Sequence, residues 1–253
     1  MTCSDPGELA GKTVGVIGGM GPFATADFLH KLISATPAER DQDHLRILVD
    51  CDPRVPDRSE FLAGRGPDPR PMLRAMARGL VRAGADLLVM PCNTAHAFRD
   101  ELQAAVDIPL VDWPAVAADA VAASGASSVG IIASSGTMLA EVYQPVLRAR
   151  GIACLAPPPA GQEFATQAIY GPAGVKRAGP RSASALADLR AAAATLTERG
   201  AGALLLACTE FSALHAIAPL DPGVPVVDAA DVVARHVVSL ATQCCQTCRR
   251  AAS

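Results

Sequence analysis

Four separated segments of this 253-residue chain recur at almost one fixed offset, which obliges it to fold twice in much the same way. VGVIGGMGPFAT opens at Val14 and VGIIASSGTMLA at Val129, an offset of 115 (129 − 14). Cys92 in DLLVMPCNTA answers Cys208 in GALLLACTEF, an offset of 116 (208 − 92). Pro109 of IPLVDWPAVAADAV meets Pro225 of VPVVDAADVVARHV at the same spacing, as do Arg74 with Arg190 and Gly84 with Gly200. Internal duplication explains this better than a chance likeness of two generic strand–helix units.

The repeated unit alternates. Short Val/Ile/Leu-rich runs at 13–18, 45–51, 86–91, 108–112, 128–133, 202–207 and 224–227 predict strands. Helical periodicity runs between them, for example over 71–83, 114–123, 138–150 and 184–199. Strands alternating with helices imply parallel sheets covered on both faces. The expected fold is α/β: two pseudo-symmetric parallel-sheet domains with flanking helices and an active-site cleft between them. Half of the residues are hydrophobic and only 4% aromatic, which suits helices on buried strands better than a β-sandwich.

Composition also excludes function classes. A net charge of −3 with scattered basic residues gives nucleic acid no basic face. The N-terminus MTCSDPGELAGKT lacks the basic and apolar regions of a signal peptide, and no apolar run reaches the ~18–20 residues of a membrane span. A soluble, cytoplasmic protein without a membrane partner is expected, its eight cysteines present as thiols.

Ligands of open parallel sheets sit beyond the carboxyl ends of the strands, which is where Cys92 and Cys208 fall. Two halves facing each other about a pseudo-twofold axis would bring both thiols into one cleft. Opposed thiols suit proton transfer at an amino-acid α-carbon: a thiolate removes the proton from one face while a thiol delivers one to the other. Such a pair is an alternative to pyridoxal phosphate, for which the three lysines (Lys12, Lys31, Lys176) offer no convincing attachment site, and the surrounding site must then stabilise the charge that develops. Asn93, Thr94 and Thr209 follow the cysteines and are helix-start residues able to bond a thiolate or a carboxylate. Glu210 is a candidate either to tune Cys208 or to gather an ammonium group.

Loops around CDPRVPDRSEF and AIYGPAGVKRAG offer Arg58 and Lys176 as cations for a carboxylate. The turn GMGPFA formally fits a dinucleotide fingerprint, but the acids Asp50 and Asp52 come about 30 residues on rather than ~20, and the duplicated turn ASSGT lacks the glycines. A smaller task fits both turns: free amides of Gly19, Met20 and Gly21, ahead of Pro22, and of Ser135, Gly136 and Thr137, facing a substrate carboxylate. His96, one helical turn after Cys92, has Ser212 at its duplicated position and is expected to be structural. The Cys245–Cys248 pair in the tail has no second pair to complete a zinc site, so no metal is expected.

VGVIGGMGPFAT, PRVPDRS, MPCNTAHAF, SSGT, VYQPVL, IY…VK, ACTE and PVVDAADV resemble, in this order and from about Val14 to Val238, aspartate racemases of the aspartate/glutamate racemase family. The resemblance implies two pseudo-symmetric domains, no cofactor, a homodimer and an acidic amino acid as substrate. It implies Cys92 and Cys208 as the catalytic pair, with Arg58, Asn93, Thr94, Thr137, Lys176, Thr209 and the Met20–Pro22 turn touching substrate. It also implies a C-terminal helix returning to the first domain, hence domains of 1–112 plus 226–253, and 113–225. The sequence departs from the family pattern at Ala207, at the Gly171–Gly174 stretch and at Cys51. Alternatives within the resemblance are a glutamate or broad acidic amino-acid racemase, a maleate isomerase-type enzyme and a non-catalytic amino-acid-binding relative. A one-cysteine decarboxylase fits the paired thiols less well.

Overall fold

The computed structural model describes residues 11–251, with side chains through residue 242. Seven strands form: β1 (Val14–Gly18), β2 (Ile47–Cys51), β3 (Leu87–Val89), β4 (Ser128–Ala133), β5 (Ala153–Leu155), β6 (Ala203–Ala207) and β7 (Val226–Asp228). They make two parallel sheets of order β2-β1-β3 and β5-β4-β6-β7. β1 and β6 are buried along their whole length, as continuous apolar runs in a doubly covered parallel sheet should be.

The duplication reaches individual hydrogen bonds. Leu88 N–H donates to the Pro109 carbonyl and Leu204 N–H to the Pro225 carbonyl, both at 2.8 Å. The rung is the same, but its extent differs. Run 108–112 forms only an isolated parallel bridge, Leu88↔Leu110, because the chain turns at Val111 into helix Trp113–Ala123. The equivalent run pairs over three residues as β7. β7 therefore belongs with the second sheet, whereas the boundary at residue 226 assigned it to the first half. The chain returns only with helix Ala229–Ala251, which packs on helix Pro22–Ala35 of the first half.

Two local expectations are corrected. Segment 138–150 is not one helix: Ser135–Leu139 and Gln144–Arg148 are separated by Glu141 at φ 48°, and Pro145 opens the second helix because it cannot donate within a continuous one. β5 was not foreseen, being three residues long and followed closely by Pro157, Pro158 and Pro159.

Each sheet has a private outer core. Leu73, Leu80 and Met90 belong to that of the first half, and Leu189, Leu196 and Phe211 to that of the second. Between them lies one shared core holding Val14, Phe28, Trp113, Val129, Leu205 and Val237. This shared layer holds the carboxyl ends of β3 and β6 toward one recess. No described helix is long and apolar enough to cross a membrane.

Candidate active site

Both cysteines leave their sheets at the carboxyl end, and both are buried, being 5% and 8% exposed. Cys208 directly follows β6 and is the N-cap of helix Thr209–Ile217, with extended backbone. Cys92 lies three residues beyond β3; its N–H donates to the Met90 carbonyl at 2.8 Å, and a single 3₁₀ stretch, Thr94–Phe98, follows. Only Cys208 therefore stands at the start of an α-helix. The two thiols line one recess together with Met20, Arg58, Asn93, Thr94, Lys176, Thr209 and Glu210, all singled out from the sequence, and with Ser134 and Tyr170, which were not. The recess holds about 20 Å³, room for one water. It shares Met20, Arg58, Lys176 and Glu210 with an outer chamber of about 380 Å³, lined also by Gly21, Pro22, Phe23, Pro53, Val55, Asp57 and Val175.

Opposite charges face the two thiols. Arg58, the first residue of helix Arg58–Leu62, is set by Asp57, whose carboxylate accepts the Ser59 and Glu60 amides. Its guanidinium donates to the carbonyls of Met20 (3.0 Å), Pro56 (3.0 Å) and Val55 (3.2 Å), while Nε is buried without a partner. Burial opposes its charge, but Cys92 and then Asp57 outweigh burial, so its pKa is raised. On the other side the Cys208 thiol donates to Glu210 Oε2 at 3.1 Å, and Lys176 Nζ lies 3.1 Å from Glu210 Oε1. Burial, and then the Glu210 carboxylate, push the Cys208 thiol well up. Burial would raise Glu210 as well, but Lys176 overcomes it and the carboxyl stays below its ordinary value. Lys176, opposed by burial, is held protonated chiefly by Glu210. Cys208 is thus a thiol beside a carboxylate, whereas Cys92 sits beside a cation.

Hydroxyls tie the halves together. Thr94 Oγ1 lies 2.9 Å from Ser134 Oγ and 2.8 Å from Thr137 Oγ1, and these last two are 3.0 Å apart. The Tyr143 hydroxyl donates to Asn93 Oδ1, while Asn93 Nδ2 is buried with no partner.

Several expected contacts are absent. Ser135 is exposed and lines neither cavity; Ser134, one residue earlier, takes its place and caps helix Ser135–Leu139. Gly136 is a close crossing of two helices, where a Cβ would come within 2.4 Å of Ser59 Oγ. Thr137 is 1% exposed and lies behind Thr94. The amides expected to be free are partly taken: Gly19 N–H donates to Thr25 Oγ1 and Thr137 N–H to Ser134 Oγ. Cys51 is exposed and lines neither chamber. His96 is buried, with Nε2 3.1 Å from the Met90 carbonyl, and burial holds its pKa down at about 4. Among the described residues no three His, Cys, Asp or Glu are grouped to hold a metal ion. The side chains of Cys244, Cys245 and Cys248 lie outside the described residues.

This two-thiol arrangement coincides with a sequence match. The signature of the family described as Asp/Glu/hydantoin racemase spans residues 17–237. The chain belongs to that family. An aspartate racemase from Picrophilus torridus shares its fold with a TM-score of 0.78 and 30% identity, over 91% of this chain and 94% of that one. The broad specificity amino-acid racemase RacX of Bacillus subtilis (strain 168) is 28% identical over 145 residues, 54% of this chain and 61% of RacX. The glutamate racemase of Deinococcus radiodurans is 30% identical over 170 residues, 64% of this chain and 55% of that enzyme. The chain thus spans less than two thirds of the length of either of these last two relatives.

Proposed function

We propose that this chain is an amino-acid racemase that needs no pyridoxal phosphate and inverts aspartate through Cys92 and Cys208. The observation that carries the reading is two buried thiols in one recess with opposite charges beside them. In one direction the Cys92 thiolate takes the α-proton and the electron pair spreads into the substrate carboxylate. The Cys208 thiol then delivers its proton to the opposite face. That leaves Cys92 as thiol and Cys208 as thiolate, and the other direction starts from this state: the Cys208 thiolate removes the α-proton and the Cys92 thiol donates to the opposite face. Arg58 and Lys176 offset the negative charge that accumulates. The recess is closed down to the size of one water, so substrate entry requires its walls to part.

A second reading, broader specificity, is favoured by how the cations are engaged. Arg58 is bonded to three backbone carbonyls and Lys176 is paired with Glu210, while Phe23, Pro53, Val55 and Val175 make much of the outer chamber apolar. Proton NMR in deuterated water, with L-aspartate, L-glutamate, L-alanine and L-serine and no added cofactor, separates the two. Loss of the α-proton from aspartate alone supports the first reading, and comparable loss from alanine supports the second. Inertness toward every amino acid would overturn both readings and favour a binding protein or a maleate isomerase-type enzyme. Light scattering tests the homodimer that the family resemblance implies.

A further inference from the structure

We infer that Tyr143, which lines neither chamber, is a positioning residue: it fixes which end of the Asn93 amide faces the recess. The inference rests on the racemase reading for its chemistry but not for its geometry. Tyr143 belongs to the second half, lies just ahead of helix Gln144–Arg148 and is fully buried. Its hydroxyl reaches across the shared core to Asn93, next to Cys92.

An asparagine side chain presents an acceptor at one end and two donors at the other, and nothing in its shape selects between them. Here the selection comes from the phenol. The phenol is fully buried, and burial raises its pKa well above its ordinary value. The phenol thus keeps its proton and directs it to Asn93 Oδ1. Nδ2 is left as an unpartnered buried donor on a residue that lines the recess. A buried orphan donor is costly in the free protein and is satisfied by a ligand acceptor. A carboxylate oxygen of the substrate, which gains charge as the α-proton leaves, is the acceptor this donor fits.

Tyr143→Phe keeps the ring and removes only the hydroxyl. Chiral chromatography of aspartate turnover should show kcat reduced roughly 10- to 30-fold, against roughly 100-fold for Asn93→Ala, which removes the donor itself. The Tyr143→Phe/Asn93→Ala double variant should be no slower than Asn93→Ala alone, because Tyr143 then has nothing to orient. A double variant slower by the full Tyr143→Phe factor would mean that Tyr143 acts through packing, and would overturn the inference. Titration with succinate, an inert dicarboxylate, repeats the cycle without turnover: affinity should fall a few-fold in each single variant and no further in the double. A wild type that binds succinate but never exchanges the aspartate α-proton would sink the racemase reading while leaving the amide cycle readable. If Tyr143→Phe fails to fold, Asn93→Asp decides, since it can still accept from Tyr143 but has no N–H. Activity near wild type in Asn93→Asp would refute the need for the donor.

Discussion

The rungs Leu88–Pro109 and Leu204–Pro225 have the same length in the two halves, whereas the residues that follow the two cysteines share almost nothing. Asn93, Thr94 and His96 on one side correspond to Thr209, Glu210 and Ser212 on the other. Thr94 joins a ring of hydroxyls, while Glu210 accepts from a thiol and pairs with a lysine. His96 is a neutral buried imidazole; Ser212 instead donates to Asp228 at 2.7 Å, in a cluster with Lys31 and Asp27. Duplication has persisted where backbone geometry decides and has been lost where charge decides. In the racemase reading the divergence has a use. Two identical thiols would favour the same protonation state, but the reaction needs one with its proton and one without. Burial and the carboxylate beside Cys208 hold that thiol in its protonated form before substrate arrives, and no carboxylate stands in the matching place beside Cys92.

The comparison breaks most severely if the thiols are not equal partners. Cys92→Ala and Cys208→Ala should each fold, since trimming a small side chain beside a recess leaves little cavity. Each should lose L-to-D and D-to-L conversion together, by about 10³-fold or more. The assay is chiral chromatography of both directions, with circular dichroism as the check on folding. Near wild-type racemisation in either variant would reduce one cysteine to a structural role. A single variant should still exchange the α-proton of one enantiomer with deuterated solvent, because its remaining thiol can return what it took.

Glu210→Gln should make the two sites more alike. The substitution keeps a side chain of the same shape and removes the charge that, after burial, holds the Cys208 proton. The pH at which Cys208 becomes alkylated by iodoacetamide should therefore move down, with Cys92 unchanged, as read by peptide mapping. Turnover should fall roughly 10- to 100-fold, because Cys208 loses the carboxylate that keeps it in the proton-donating form. An unmoved Cys208 profile would show that burial alone sets its state.

His96 should make the Cys92 half the more acid-sensitive. Its folded pKa of about 4 lies below the ordinary 6.5, so between these values the unfolded chain binds more protons than the folded one. The stability associated with neutral His96 is complete above about pH 6.5 and is lost as pH falls toward 4. By pH 5 the loss should be about 2 kcal/mol. His96→Gln removes the titration and can still donate to the Met90 carbonyl. Its melting temperature should fall less between pH 7 and pH 5 than that of the wild type, while parallel curves would remove His96 from the account.

The alternating architecture was legible because buried parallel strands are unbroken Val/Ile/Leu runs, and the offset tied the two sets together. Run 108–112 looked like a strand because its composition matches that of 224–227; only the turn at Val111 distinguishes them. The cysteines and their immediate followers were legible because chain topology places strand ends at the site whatever the side chain. Ser134 was missed by one position in SSGT, where N-cap chemistry fits the serine before the helix better than the first residue within it. Tyr143 and Tyr170 were missed because each comes from a helical region far along the chain from the cysteines. Scarcity was a usable signal: the chain has two tyrosines, and one lines the recess while the other bonds a residue that does.

The mildest test asks whether the two halves are held together by the same packing. Gly15 on β1 and Gly130 on β4 occupy duplicated positions, and each lies under a leucine of the outer helix, Leu80 in helix Arg70–Arg82 and Leu196 in helix Ala183–Thr197. A Cβ at Gly15 would stand 2.7 Å from Leu88 Cδ2 and 2.9 Å from Ala85 Cβ; at Gly130 it would stand 2.9 Å from Leu196 Cβ and 3.0 Å from Leu204 Cδ2. Leu80 and Leu196, like Leu88 and Leu204, are themselves duplicated partners, so helix and sheet approach in the same way in both halves. Gly15→Ala and Gly130→Ala should each cost about 1–3 kcal/mol in urea unfolding, the usual penalty for overpacking a dense core. Gly15→Ala should be the worse, because it meets two contacts below 3 Å, against one at Gly130. Leu88→Ala added to Gly15→Ala should cost clearly less than the sum of the single changes, since it removes the tightest contact, and Leu204→Ala added to Gly130→Ala only slightly less, since the Leu196 Cβ contact stays. If one glycine tolerates alanine and the other does not, the backbone symmetry is only approximate, and the contrast at the thiols extends into the core.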